Sequence, residues 1–201
     1  MIRIVMPMTL DFPHSALIIV DLQNDFCPGG ALAVEKGGEV IEPLNRLAAA
    51  FAAQSGRVVA TQDWHPEAHV SFGQWPEHCV QGSRGADFHE ALDQWPIDLI
   101  IRKGFRPGLD SYSAFFENDR KTATGLDGYL KSLSINTLVL GGLAADYCVL
   151  YSALDAAGLG YKTMVAVDAV RGVGMPEGSV ERAFEQMKKA GVIITESGEI
   201  G

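Results

Sequence analysis

The chain reads as an α/β protein built on a doubly wound, six-stranded and mainly parallel sheet with helices on both faces. Three observations predict this. Six short β-branched and aliphatic runs recur along the 201 residues, amphipathic helical patterns fall between them, and the runs show little apolar–polar alternation. Strands covered on both faces need such continuous apolar runs, and a βαβ alternation closes on a parallel sheet through right-handed crossovers.

The elements follow in order. Residues 16–20 are the first predicted strand, ending at Asp21. A helix is predicted over 39–54, where Val40, Ile41, Leu44, Leu47, Ala48 and Phe51 recur at i, i+3, i+4 spacing and Gly56 supplies the C-cap after Ser55. The second strand is 57–61. Residues 63–95 hold four of the five histidines and little periodicity, which predicts a long functional loop with short helical pieces. The third strand, 98–102, leads to a second loop over 105–124, rich in aromatics and in Gly, Ser and Asp. Strand four, 137–140, passes through Gly141-Gly142 to a helix over 147–157 stopped by Gly158. Strand five is 162–167, a helix over 178–190 stops at Gly191, and strand six is 192–195.

Composition bounds the function. Hydrophobic residues at 47% and charged residues at 20% support one buried core, so a single domain over 1–201 is expected. Sixteen Lys and Arg against 25 Asp and Glu give a net charge of −9 with no basic run, which argues against nucleic acid and anionic membranes and favours a small-molecule partner. The apolar runs are far shorter than a bilayer span and residues 1–10 lack a signal-peptide pattern, so a cytoplasmic protein is expected. Cys27, Cys79 and Cys148 are odd in number and widely spaced, fitting neither a disulfide framework nor a metal knuckle. At least one is a candidate working thiol.

In open parallel sheets ligands bind beyond the carboxyl ends of the strands. Asp21 follows the first run, Asp63 and His65 the second, Lys103 the third, and Gly141-Gly-Leu-Ala-Ala-Asp-Tyr-Cys148 the fourth. An acid, a carboxylate–imidazole pair, an amine and a thiol thus converge on one edge. Cys148 opens a helix, where the dipole and free N–H groups are expected to lower a thiol pKa. Asp21 is suited to take the thiol proton and return it to a leaving amine, with the Lys103 ammonium holding the carboxylate and favouring thiolate. Taken singly, these residues also have plain readings as a buried hydrophobe, a helix cap and a solvated strand end.

Asp63-Trp-His65 puts two ligand-type side chains on one side of an extended segment, and His78 follows in Trp75-Pro-Glu-His78. One carboxylate and two imidazoles suit a single divalent ion, zinc first, with iron and manganese compatible. His69 is a candidate fourth member acting through a metal-bound water. His14 is read as a surface residue, and His89 either as a residue supporting the ligands from behind or as structural. Phe26 and Trp75 are candidate walls for a planar ring.

Seven stretches carry a family resemblance: Val20-Asp-Leu-Gln-Asn-Asp-Phe-Cys-Pro-Gly-Gly30, Thr61-Gln-Asp-Trp-His-Pro66, Trp75-Pro-Glu-His-Cys-Val80, Arg102-Lys-Gly104, Asp110-Ser-Tyr-Ser-Ala-Phe-Phe116, Gly142-Leu-Ala-Ala-Asp-Tyr-Cys-Val149 and Asp168-Ala-Val-Arg-Gly172. In these the chain resembles the isochorismatase-like cysteine hydrolases, and the Asp-x-His and Trp-Pro-x-His pair narrows the resemblance to their nicotinamidase branch. The resemblance implies hydrolysis of nicotinamide to nicotinate and ammonia, a strand order 3-2-1-4-5-6, a triad of Asp21, Lys103 and Cys148, and metal ligands Asp63, His65 and His78. It also implies a cis peptide between Leu143 and Ala144, an oxyanion hole from the N–H groups of Ala144 and Cys148, and substrate contacts from Phe26, Trp75, Tyr112 and Leu143. Ala145 departs from the family's frequent Thr.

Other readings differ in what they need. An N-carbamoyl amidase or isochorismatase-type relative needs no pyridine-binding metal, and a metal-hydroxide hydrolase needs no thiol. A nucleotide-binding module is disfavoured because neither GxGxxG nor a Walker lysine is present. A homo-oligomer is compatible with the sequence.

Overall fold

A computed structural model describes residues 9–201; residues 1–8, most of the stretch read above for a signal peptide, lie outside the described residues. Strands β1 (Ser15–Val20), β2 (Arg57–Asp63), β3 (Leu99–Lys103), β4 (Thr137–Leu143), β5 (Lys162–Arg171) and β6 (Ile193–Thr195) form one sheet in the order β3-β2-β1-β4-β5-β6. Every pairing is parallel. The order reverses beside β1 and β4, and at such a switch point the connections leave on opposite faces and open a crevice at the carboxyl ends.

Side chains alternate across the sheet. Leu17 and Ile19 pack with Leu44, Leu47 and Phe51 of helix α1 (Ile41–Ala53) on one face. Ile18 and Val20 pack on the other with Leu130 of α2 (Leu126–Ser132), Val149 and Ala153 of α3 (Cys148–Gly158) and Met187 of α4 (Ser179–Lys189). Each fully buried Leu or Ile contributes roughly 1.5–3 kcal/mol, so the two layers clamp the inner strands. No helix among the described residues is long and apolar enough to cross a membrane.

Several local expectations are corrected. Strands covered on both faces describe β1, β2 and β4, whereas the edge strands leave Ile100, Arg102 and Ile193 exposed because the helices pack over the inner strands. After α1 the left-handed residue is Ser55 (φ 63), not Gly56. Gly56 is required by crowding instead: a Cβ there would lie 2.8 Å from the Phe51 ring and 3.2 Å from the Phe12 carbonyl. Helix α3 runs through Gly158, and the turn falls at Gly160 (φ 92). Helix α2 was not anticipated; it is seven residues with two buried side chains, too short to display a period.

Candidate active site

The reacting groups are placed by strand register. Asp21 directly follows β1, Asp63 and Lys103 end β2 and β3 as Cα partners, and Cys148 opens α3. Lys103 Nζ lies 2.8 Å from Asp21 Oδ2, pairs with Asp63 Oδ1, and donates to Cys148 Sγ at 3.6 Å and to the Ser111 carbonyl at 3.1 Å. A carboxylate oxygen of Asp21, one of Asp63 and the Cys148 sulfur lie within 4.8 Å of one another. All four residues are buried.

Burial opposes the Lys103 charge, but Asp21 and Asp63 outweigh it and hold the pKa well above the ordinary lysine value. The ammonium is therefore permanent, and neutralises part of the paired carboxylates. Burial raises Asp21 above the ordinary carboxylate value, with Lys103 opposing and Asp63 reinforcing. Burial likewise pushes the Cys148 thiol well above its usual value; Lys103 opposes this, while Asp21 and Asp63 add to it. The direction is opposite to the lowering expected from the helix start, because desolvation and two carboxylates act against the Lys103 charge.

The turn from β4 into α3 contains a cis peptide between Leu143 and Ala144. Gly142, at φ 122, cannot be replaced there, since a Cβ would sit 2.1 Å from the Val20 carbonyl oxygen. Tyr147 and Val149 donate to the Ala144 carbonyl, and Ala145 donates to that of Arg171. The N–H groups of Ala144 and Cys148 find no backbone acceptor outside helix and strand ladders among the described residues, and both residues line the cleft below. Asp146, which the sequence reading passed over, straps the turn to the next loop by accepting from Val173, Gly174 and Ser179 at 2.8, 2.9 and 2.5 Å.

The imidazoles come from the loop after β2. His65 Nδ1 lies 2.9 Å from the Gly104 carbonyl and His78 Nδ1 2.7 Å from the Pro76 carbonyl. A ring N–H donated to a carbonyl leaves Nε2 of each ring with a free lone pair. A ligand atom from each of Asp63, His65 and His78 falls within one 4.8 Å group. Burial holds His65 down to about 3; the Gly104 contact opposes this and the neighbouring His69 and His78 add to it, so the ring is neutral. This donor set fits a divalent cation.

His69 stacks on His65 with centroids 4.1 Å apart. Its Nδ1 contacts Ser71 Oγ at 2.7 Å and its Nε2 the Leu109 carbonyl at 3.2 Å, so both nitrogens are engaged. His14 pairs with Asp11 at the surface, and His89 lies in a separate groove with Cys27 and Arg84.

A narrow cleft joins the two groups of residues. Cys148, Ala144, Asp63 and His78 line it together with Phe26, Trp75 and Tyr112. Trp75 Nε1 donates to the Tyr112 hydroxyl at 3.1 Å and its ring meets Tyr147 edge-on at 5.1 Å. Burial pushes Tyr112 up to about 12, which keeps that hydroxyl neutral. Leu143, by contrast, is not among the lining residues; it is buried against Gly37. Leu32, Val34, Tyr147 and Val173 also line the cleft and were missed: the three aliphatic residues lie in loops and carry no motif, and Tyr147 was read only as the start of a helix. Gln23 was missed too: it donates to the carbonyls of Asp63 and Ala86 and accepts the Asp63 N–H, all within 2.9 Å. A glutamine two residues after a strand-ending acid was its only signal.

In sequence and in fold the chain is similar to known proteins. The chain is 44% identical over 201 residues to the nicotinamidase of Escherichia coli (strain K12), covering 90% of this chain and 94% of that one. A nicotinamidase/pyrazinamidase structure from Acinetobacter baumanii superposes with a TM-score of 0.89 at 43% identity, covering 93% of this chain and 98% of its own. The pyrazinamidase of Pyrococcus horikoshii, solved in complex with zinc, superposes at 0.82 with 39% identity, over 92% and 99%. The isochorismatase domain family matches residues 15–199, and with the sheet order and the sequence identities above, the chain belongs to that family.

Proposed function

We propose that this protein is a nicotinamidase, hydrolysing nicotinamide to nicotinate and ammonia through a thioester on Cys148. The observation that carries this reading is the Asp63 carboxylate, which pairs with Lys103 on the thiol side and groups with His65 and His78 on the other. One cleft therefore brings a nucleophile together with the residues of a cation site, with Asp63 common to both. The 44% identity to a nicotinamidase supports the same substrate.

Asp63, His65 and His78 would hold a divalent cation, zinc in the first instance, which supplies a Lewis-acid anchor for a pyridine nitrogen. His69, with both nitrogens engaged, is a wall for His65 instead of a ligand. Phe26 and Trp75 confine the ring and place the carboxamide over the sulfur. Asp21 accepts the Cys148 proton as the sulfur attacks the carbonyl carbon, and the Ala144 and Cys148 N–H groups receive the oxyanion. Asp21 then passes its proton to the nitrogen, the C–N bond breaks and ammonia leaves. Water, giving a proton to Asp21, attacks the thioester; nicotinate departs and the sulfur recovers its proton. Lys103 stays charged throughout and keeps both carboxylates in place.

The test is ammonia release from nicotinamide by native and Cys148→Ala protein, before and after chelation. Release that is lost on both treatments and restored by added zinc supports the reading. Turnover by Cys148→Ala would overturn it, and undiminished turnover of nicotinamide by metal-free protein would overturn the role given to the cation.

A further inference from the structure

The two oxygens of the buried Asp21 carboxylate keep different company. Oδ2 faces the Lys103 ammonium at 2.8 Å. Oδ1 receives a hydrogen bond from the Thr61 hydroxyl at 2.6 Å, and the same hydroxyl oxygen accepts the Asp21 N–H at 3.1 Å. Thr61 and Asp21 are both fully buried, so no water competes for either contact. A hydroxyl has one proton; with its oxygen already accepting from the main chain, the rotor is fixed and that proton is committed to the carboxylate.

Two further features make an outside hold necessary. Asp21 stands at φ 48, uncommon for a residue with a side chain, so ordinary strand geometry does not set where its carboxylate points. Thr61 lies inside β2, on a strand paired on both sides, and its branched side chain has little χ1 freedom. A rigid donor is therefore aimed at a carboxylate that its own backbone does not aim.

We propose that Thr61 is a positioning residue of the reaction: its hydroxyl ties down Asp21 Oδ1, so that Oδ2 alone is presented to the Cys148 proton and then to the leaving nitrogen. The inference deepens the nicotinamidase reading and rests on Asp21 being the proton carrier. It differs from a packing role for Thr61, which the methyl group could fill without the hydroxyl.

The test compares Thr61→Val, which keeps the shape and removes the hydroxyl, with Thr61→Ser, which keeps the hydroxyl. Thr61→Val is expected to lower kcat by roughly ten- to a hundredfold while KM stays within about twofold. Thr61→Ser should remain within about threefold of the native kcat. Should Thr61→Val not fold, Thr61→Ala against Thr61→Ser makes the same comparison. Native kcat in Thr61→Val, or an equal loss in Thr61→Ser, overturns the proposal. So does a fall in bound metal that tracks the activity loss, since the effect would then run through Asp63 two residues on. Asp21→Asn separates the two levels: its retention of turnover would sink the mechanism itself, whereas an inactive Asp21→Asn beside a fully active Thr61→Val would sink only the role of Thr61.

Discussion

The two ends of the cleft are built in different ways. Asp21, Lys103 and Cys148 sit at ends of strands and at the start of a helix, where the pairing of β1, β2, β3 and β4 sets their separation. His65 and His78 sit on a loop held by short 3-10 turns and one isolated bridge between His65 and Val80, and each ring is aimed by one carbonyl, Gly104 or Pro76. Asp63 belongs to both, as the last residue of β2 and a member of the imidazole group. The difference teaches that chemistry needing a fixed proton path is placed by sheet register, while a cation site tolerates placement by hydrogen bonds that a loop can supply.

The comparison can be broken at either end. Cys148→Ala should lower kcat by a factor on the order of 10⁴ or more with the melting temperature nearly unchanged, because the side chain is small and its role chemical. Lys103→Met should cost about 3–5 kcal/mol in denaturant unfolding and abolish activity, since it leaves two buried carboxylates without a counter-charge. If it were instead well tolerated, the triad would not be the rigid half described here.

Smaller effects sharpen the contrast. Gln23→Leu removes the three hydrogen bonds that fix the Asp63 main chain and the neighbouring loop. It should weaken zinc binding by roughly 10–100-fold, read by competition with a chromogenic chelator, while Cys148 alkylation by iodoacetamide stays near native. Equal effects on both would mean that the two ends are one unit. Tyr112→Phe deletes only the acceptor of the Trp75 N–H, so a rise in KM of about two- to tenfold with constant kcat is expected, matching the roughly 0.5–1.5 kcal/mol of one such bond.

Much of this was legible along the chain. The six apolar runs mark all six strands, and the residues just past them supply Asp21, Asp63, Lys103 and Cys148. Strand limits were less legible: β5 runs on to Arg171 and β4 to Leu143, because a ladder hydrogen bond continues past the point where the apolar pattern stops. The two exposed edges escaped notice for a similar reason, since an apolar run looks the same whether or not a neighbour covers it. Gln23, Thr61 and Asp146 carry ordinary polar side chains, and only a view of their partners, 27 to 63 residues away, gives them a role.

Periodicity and residue type are local, and so the alternation of strands and helices, and the chemistry offered at each strand end, could be read in one dimension. Protonation is not local: the Cys148 thiol pKa is raised because packing shuts water out and because Asp21 and Asp63 arrive from distant strands, against the opposing Lys103 charge. The same holds for His69, whose lone pair is taken by Ser71 and whose other nitrogen meets Leu109. Burial and through-space charge depend on what packs beside a group, and that is decided only when the strands have found their neighbours.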